Sequence, residues 1–282
     1  MKNLLYTIFI LLVAFNANSQ ISKSNKPVAD KQCRMNIYII SKDAKKEILP
    51  FTVKVRAVFK SLFSKKRMRV IVSSKSEFAA AKLDRLLKKH HAIIGNLWFD
   101  SHGLYKNGFS SFTIGADNFN YKNITDSTHT AFLQQIARHT DEHTKIGIGS
   151  CYGGATFIHP GSATVKSGPM NGDSLMIGMG KIFNGATIYA SGGWVMMKPG
   201  IFSDNFGFAG YPLGKKYRTQ YWRPVWDHLG EWYAYSTQEG FIKTVNTVAL
   251  SRIGEITVRE RNYLSLHKAI RKQEKALATI QP

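Results

Sequence analysis

The sequence predicts an α/β domain: a mostly parallel β-sheet covered by helices on both faces, followed by a small C-terminal β meander and a terminal helix. Short apolar runs rich in β-branched residues recur at 35–40, 69–73, 93–100, 145–149 and 186–190. Between them, at 77–90, 128–139 and 173–183, apolar residues take helical spacing. Parallel neighbours need crossover connections, and helices alternating with strands supply them.

Residues 1–19 read as an export signal. Lys2 gives the positive start, 4–15 an apolar stretch, and Ala17-Asn18-Ser19 a small-x-small cleavage site before Gln20. That stretch falls short of the roughly 20 apolar residues that cross a bilayer. The mature chain is therefore expected to be exported, periplasmic or extracellular, and not membrane-spanning; an uncleaved N-terminal anchor is the alternative. Residues 20–32, polar with Ser, Asn, Lys and Pro, form a flexible lead-in.

The domain proper is expected over 33–197. Its first strand precedes a segment, 45–64, whose apolar positions suit a helix that Pro50 interrupts early. In helix 77–90, Ser76 is the expected cap, and Phe78, Ala81, Leu83, Leu86 and Leu87 are expected to face inward. Strand 93–100 ends at Ser101-His102-Gly103. Alternating Gly, Asn and aromatic residues over 104–124 predict a short hairpin laid over the sheet edge. Strand 145–149 ends at Ser150-Cys151-Tyr152-Gly153-Gly154, and strand 186–190 at Ser191-Gly192-Gly193. From 198 to 282 an aromatic-rich loop (198–226), a meander (232–236, 241–245, 249–258) and a basic helix (263–276) are expected on the same domain.

The formal charge is +21, from 39 basic and 18 acidic residues, and loss of Lys2 with the signal leaves +20. Such a bias attracts anionic surfaces such as glycans or lipid headgroups. No nucleic-acid motif accompanies it, so a solvated cationic surface is expected rather than a specific nucleic-acid partner. His90, His91, His129, His139, His143 and His159 lack paired ligand spacing on one helix face, because His139 and His143 straddle a helix end; neither metal nor cofactor is expected.

Two cysteines occur, Cys33 and Cys151. In an exported protein they can form one disulfide. Yet Cys33 sits in a polar lead-in, whereas Cys151 ends a strand in a glycine-rich turn. A thiol attacks a carbonyl as thiolate, so it needs a base and donors for the oxyanion. His102 meets the first need, since an imidazole takes and returns a proton near neutral pH. Gly103 and the Gly153-Gly154 pair meet the second, as unencumbered turns that can aim backbone N–H groups. Both candidates stand at carboxyl ends of strands, where ligands bind in parallel sheets.

His102 precedes Cys151 by 49 residues, close to the roughly 50 that separate the pair in caspases. With Phe99-Asp100-Ser101-His102-Gly103 and Lys145-Ile146-Gly147-Ile148-Gly149-Ser150-Cys151-Tyr152-Gly153-Gly154, the chain resembles the caspase, legumain, gingipain and clostripain clan (clan CD) of cysteine peptidases over 35–195. Gly149-Ser150 departs from the Gln-Ala or Glu-Ala that precedes the cysteine in caspases and legumains. The resemblance implies a caspase-like α/β/α sandwich and a hydrolase in which Cys151 is the nucleophile and His102 the general base and acid. It also implies that the amides of Gly103 and Cys151 form the oxyanion hole, and that Ser191, Gly192, Gly193 and Trp194 border the primary specificity pocket. The substrate would be a peptide or protein. Asp100, Asp173 and Asp204 are candidates to read a basic side chain, beside ordinary capping and surface roles.

Other cysteine chemistries fit less well. A chymotrypsin-like fold is all-β, papain-like enzymes place Cys before His, and a tyrosine phosphatase needs Arg six residues after Cys, where Phe157 stands. The alternative of another class is a catalytically idle caspase-like binding protein with a cationic surface.

Overall fold

A computed structural model describes residues 33–42, 68–103, 110–156, 158–159, 168–193, 195–197, 205–209, 232–245, 247–251 and 253–259. These belong to one compact unit, Cys33–Pro282. The expected signal (1–19), lead-in (20–32), helices at 45–64 and 263–276, and most of the 198–226 loop lie outside the described residues.

In chain order the elements are β1 (Cys33–Ser41), β2 (Met68–Ser73), α1 (Ser76–His90), β3 (Ala92–Asp100), β4 (Ser111–Ile114), β5 (Asp117–Asn120), α2 (Ala131–Ala137), β6 (Lys145–Ile148), β7 (Ile158–His159), β8 (Gly168–Pro169), α3 (Gly172–Ile182) and β9 (Thr187–Ser191). There follow β10 (Val195–Met197), β11 (Asn205–Ala209), β12 (Trp232–Tyr235), β13 (Ile242–Val245), β14 (Thr247–Ser251) and β15 (Ile256–Arg259). The main sheet has the order β13-β12-β9-β6-β3-β1-β2. From β2 to β9 all pairings are parallel, and β12 and β13 close one side antiparallel.

Helices were expected on both faces; among the described residues they occupy one. Ala79, Leu83 and Leu87 of α1, Leu133 and Ile136 of α2, and Leu175, Met176 and Met179 of α3 share a core with Ile37, Ile39, Leu97, Phe99, Ile146, Ile148 and Ile188. The reason is handedness. Each of these crossovers advances across the sheet in the same direction, from β2 over β1 to β3, then β6, then β9, and right-handed connections made in one direction stack on one face. The opposite face, carrying Tyr38, Ile40, Trp98, Tyr189 and Trp232, packs on Val248, Leu250 and Ile256. These belong to a second sheet of order β10-β11-β14-β15.

The expected C-terminal meander is thus divided. β12 and β13 form a hairpin that extends the main sheet, while 249–258, read as one strand, is broken between β14 and β15. Gly254 makes the break with φ +76°, and a Cβ there would lie 2.9 Å from Asn36 Cβ and Met68 Cγ. Helix α1 differs in detail too. Phe78 is 55% exposed, because it lies about 100° around the helix from Ala79, off the stripe that Leu83 and Leu87 continue. Ser76 is the first helical residue rather than the cap: its N–H and hydroxyl both donate to the Asp117 carboxylate at 2.6 Å. An anion from the hairpin thereby caps the helix, satisfying an orphan amide at the positive end of the dipole.

Candidate active site

Chain order reverses between β1 and β3: the chain runs from β1 outward to β2, then returns to β3 on the other side. The carboxyl edge beside such a switch point is where open α/β sheets bind ligands. His102 follows β3 there.

The β3–β6 register pairs Phe99 with Ile148. His102 and Cys151 each stand three residues past that pair. Side chains alternate along a strand, so within the paired residues Asn96 and Trp98 share one face with Lys145 and Gly147. Contact continues past the last paired residues. Gly149 N–H donates to Phe99 O at 2.6 Å, and a Cβ at Gly103 would come within 2.3 Å of Cys151 O. Only glycine permits that approach. His102 is exposed and Cys151 half-buried. The Cys151 sulfur lies 3.5 Å from Val195 N and 3.8 Å from Val195 O, at the start of β10, an edge strand among the described residues.

The helical side of this edge is held by serines. Strand β4 crosses the carboxyl ends of three parallel strands and meets one serine from each. Ser150 Oγ donates to Ser111 O (2.6 Å), Ser101 Oγ accepts from Thr113 N (2.9 Å), and Ser41 Oγ accepts from Gly115 N (2.8 Å). Positions 111, 113 and 115 are two apart because one face of a strand repeats every second residue. Sequence reasoning placed a hairpin here but missed this rail; the signal was a Ser at the carboxyl end of each of the three strands.

The glycines after Cys151 do not play the part expected of them. Gly153 N–H donates to Ser150 O (3.3 Å) and Gly154 N–H to Ser191 O (2.8 Å), so neither amide is aimed at a substrate. Packing explains Gly154: α3 begins against it, with a Cβ on Gly172 reaching 2.3 Å from Gly154 C. The left-handed residue of the turn is Tyr152 instead, with φ 58°. Gly147 and Gly149 are likewise packing residues, since a Cβ on either would lie 2.2 Å from the Trp98 ring.

Ser191, Gly192 and Gly193 do adjoin the cysteine turn. Tyr152 N–H donates to Gly193 O at 2.7 Å. Ser191 is fully buried, with its hydroxyl accepting from Gly193 N at 3.0 Å, so its side chain serves its own turn. Trp194 and Asp204 lie outside the described residues.

Asp100 is no reader of substrate charge. It is 3% exposed, hydrogen-bonded by the Tyr38 hydroxyl, and burial pushes its carboxyl up to about 7 against the pull of that bond. Asp173 caps locally, its Oδ1 accepting from Ser174 N at 2.7 Å.

The two cysteines are not bonded to each other. Cys33 pairs with Ala92 at the amino edge, and Cys151 lies at the carboxyl edge, roughly 30 Å away at about 3.3 Å per residue, far outside disulfide reach. No cluster of three metal-ligating side chains occurs among the described residues. His139 is paired with Asp84 (3.0 Å) and His129 with Asn118 O (2.7 Å). No helix among the described residues is long and apolar enough to cross a membrane. A groove of about 270 Å³ opens at the amino edge, lined by Arg34, Asn36, Asn96, His143, Lys145 and Glu255. Its polar groups are already engaged: Arg34 forks onto Asp141, Lys145 donates to Ile256 O at 3.3 Å, and Asn36 and Asn96 bond each other at 2.8 Å.

In comparisons with models of protein families, with curated proteins and with solved structures, the chain matches none.

Proposed function

We propose that this chain is an exported cysteine endopeptidase of the caspase-like type, in which His102 and Cys151 form the catalytic dyad. What supports the reading is that His102 and Cys151 each stand three residues past the last β3–β6 pair, Phe99 with Ile148, and that a Cβ at Gly103 would meet the Cys151 carbonyl. If the strand alternation runs on through those three residues, the spacing of about 4.8 Å between adjacent parallel strands sets the imidazole and the thiol on one face within proton-transfer reach. The backbone N–H of Val195 lies 3.5 Å from the sulfur, as a donor to it.

In the proposed reaction the Cys151 proton passes to His102 and the sulfur attacks the peptide carbonyl carbon. The resulting oxyanion is held by the amides of Gly103 and Cys151. Collapse breaks the C–N bond, and the amine leaves with the proton from His102. Water, giving a proton to His102, then attacks the thioester, and Cys151 recovers its proton as the acid departs. Peptide is the fitting substrate class because β10, an edge strand among the described residues, starts at the thiol, and an extended peptide binds such an edge by adding a strand. Ser191 to Trp194 would border the side-chain pocket. Export follows from the N-terminal signal pattern, and the net positive charge favours anionic surroundings.

The test is a peptide-library cleavage assay on the mature chain with Cys151→Ala as control. Cleavage lost in the variant is the expected result. No cleavage by wild type, together with equal iodoacetamide labelling of Cys151 and Cys33, would leave the idle binding protein.

A further inference from the structure

Tyr152, directly after the cysteine, has φ 58°, a strained conformation for a bulky non-glycine residue that persists only where its surroundings impose it. What imposes it is visible. Its N–H donates to Gly193 O (2.7 Å), and its carbonyl accepts from Ala155 N (3.1 Å). The Ser110 hydroxyl, fully buried, lies 2.7 Å from that same carbonyl and 3.0 Å from Ala155 O. Ser110 is itself anchored, its N–H donating to Met170 O at 2.6 Å. Tyr152, Ala155 and Met170 form a small buried cluster against which Cys151 packs.

The peptide plane between Cys151 and Tyr152 is thus fixed by Gly193, and the next plane by Ser110 and Ala155. Fixing both planes fixes φ and ψ of Tyr152 and the plane that carries the Cys151 carbonyl, and the sulfur of that cysteine lies 3.5 Å from Val195 N. A residue in its preferred conformation would need no such support.

We propose that Ser110 is a positioning residue for Cys151: its hydroxyl holds the Tyr152 carbonyl, keeps Tyr152 left-handed and so keeps the sulfur against the Val195 amide. This deepens the peptidase reading and rests on Cys151 being the nucleophile. Ser110 touches no reacting atom. Its removal should therefore lower turnover and thiol reactivity while leaving substrate affinity alone.

The experiment compares mature wild type, Ser110→Ala and Ser110→Thr. Iodoacetamide alkylation of Cys151 is followed by peptide mass across pH 5–9, with Cys33 as internal reference, and kcat and KM are measured on a cleaved peptide. For Ser110→Ala the expectation is a kcat about tenfold or more below wild type, since small misplacements of a reacting group cost up to about a hundredfold. KM should stay within about twofold, because binding shared by ground and transition states is untouched. The alkylation profile of Cys151 should shift to higher pH while that of Cys33 stays. Ser110→Thr, which keeps the hydroxyl, should restore both. Superimposable kcat and alkylation profiles in wild type and Ser110→Ala overturn the proposal, as does a loss that only follows the folded fraction. If Ser110→Ala does not fold, adding Tyr152→Gly, which takes the left-handed conformation without strain, should restore folding; failure to do so counts against the proposal. Alkylation needs no turnover. A wild type that cleaves nothing sinks the peptidase reading, while the alkylation contrast still decides the role of Ser110.

Discussion

The two edges of the parallel sheet close with the same kinds of side chain and use them differently. At the amino edge, Arg34 forks onto Asp141, whose carboxylate also accepts from His143 N, and these donors hold it below the usual carboxylate range. Asn36 and Asn96 bond each other and the turn and start of β15 through Ile253 O and Ile256 N. At the carboxyl edge, Asp100 is buried with the Tyr38 hydroxyl as donor, and its carboxyl rises to about 7. The same edge carries a left-handed Tyr152, a half-buried thiol and an exposed imidazole. Donors without deep burial favour charge, and burial with too few donors disfavours it. One edge is a polar lock; the other holds strain and reactive groups, the distribution expected where function is sited.

The sharpest way to break this contrast is to remove a thiol from each edge. Cys151→Ala should lower kcat/KM by at least about ten-thousandfold, the scale seen when a nucleophile is deleted from a peptidase site. Cys33→Ala, at an exposed position on the amino edge, should change neither activity nor midpoint of denaturation. Equal losses would remove the asymmetry altogether.

Next in size is the pH response of Asp100. Its folded pKa of about 7 stands above the ordinary 3.8, so between these values the native state holds a proton that the unfolded state has released. Stability contributed by this group therefore falls as pH rises from about 4 and is fully lost above about 7. By linkage the full difference is on the order of 4 kcal/mol at most. Asp100→Asn mimics the protonated carboxyl and should raise stability above pH 7 and flatten that slope in urea denaturation from pH 4 to 8. An unchanged slope would show that Asp100 does not titrate in this window.

The amino edge should respond in stability alone. Asn96→Ala strips partners from Ile256 N (2.9 Å) and Asn36 Oδ1 (2.8 Å), and unpaired groups of this kind cost about 1–3 kcal/mol. The denaturation midpoint should fall while kcat and the Cys151 alkylation rate stay put. A fall in activity at unchanged stability would couple the two edges and dissolve the distinction.

Much of the sheet was legible because each parallel strand is a compact apolar run, and β3 and β6 end in turns whose residues announce chemistry. That His102 and Cys151 stand four residues past Trp98 and Gly147 acquires meaning only once those two are seen to pair. The faces of the sheet were harder. Helical periodicity says that a helix is covered on one side, but which face of the sheet it covers depends on strand order, which no local pattern carries. Likewise 249–258 reads as one strand, because Gly254 looks like any glycine until Asn36 and Met68 are seen against it. At the site, Gly153 and Gly154 drew the eye that belonged to Tyr152. Composition marks residues permitted to be left-handed, whereas the chain here forces a residue that is not.

The smallest expected effect comes from Arg34. Its side chain is 36% exposed and that of Asp141 27%, so water and salt screen the pair, and removal should cost at most about 1 kcal/mol even with forked geometry. The sign with pH is nevertheless informative. Asp141 is held below its ordinary range, so its contribution is present above that range and is lost as pH falls through its folded pKa, opposite to Asp100. Arg34→Ala should therefore lower stability slightly at pH 7, lower it progressively less as pH falls below the ordinary carboxylate range, and lower it less in 1 M salt than in 0.1 M. If instead Arg34→Ala cost as much in 1 M salt as in 0.1 M, the fork would be acting through packing of its aliphatic stem on Gly95, whose Cβ position lies 3.2 Å from Arg34 Cβ, and the amino edge would be a steric lock rather than an electrostatic one.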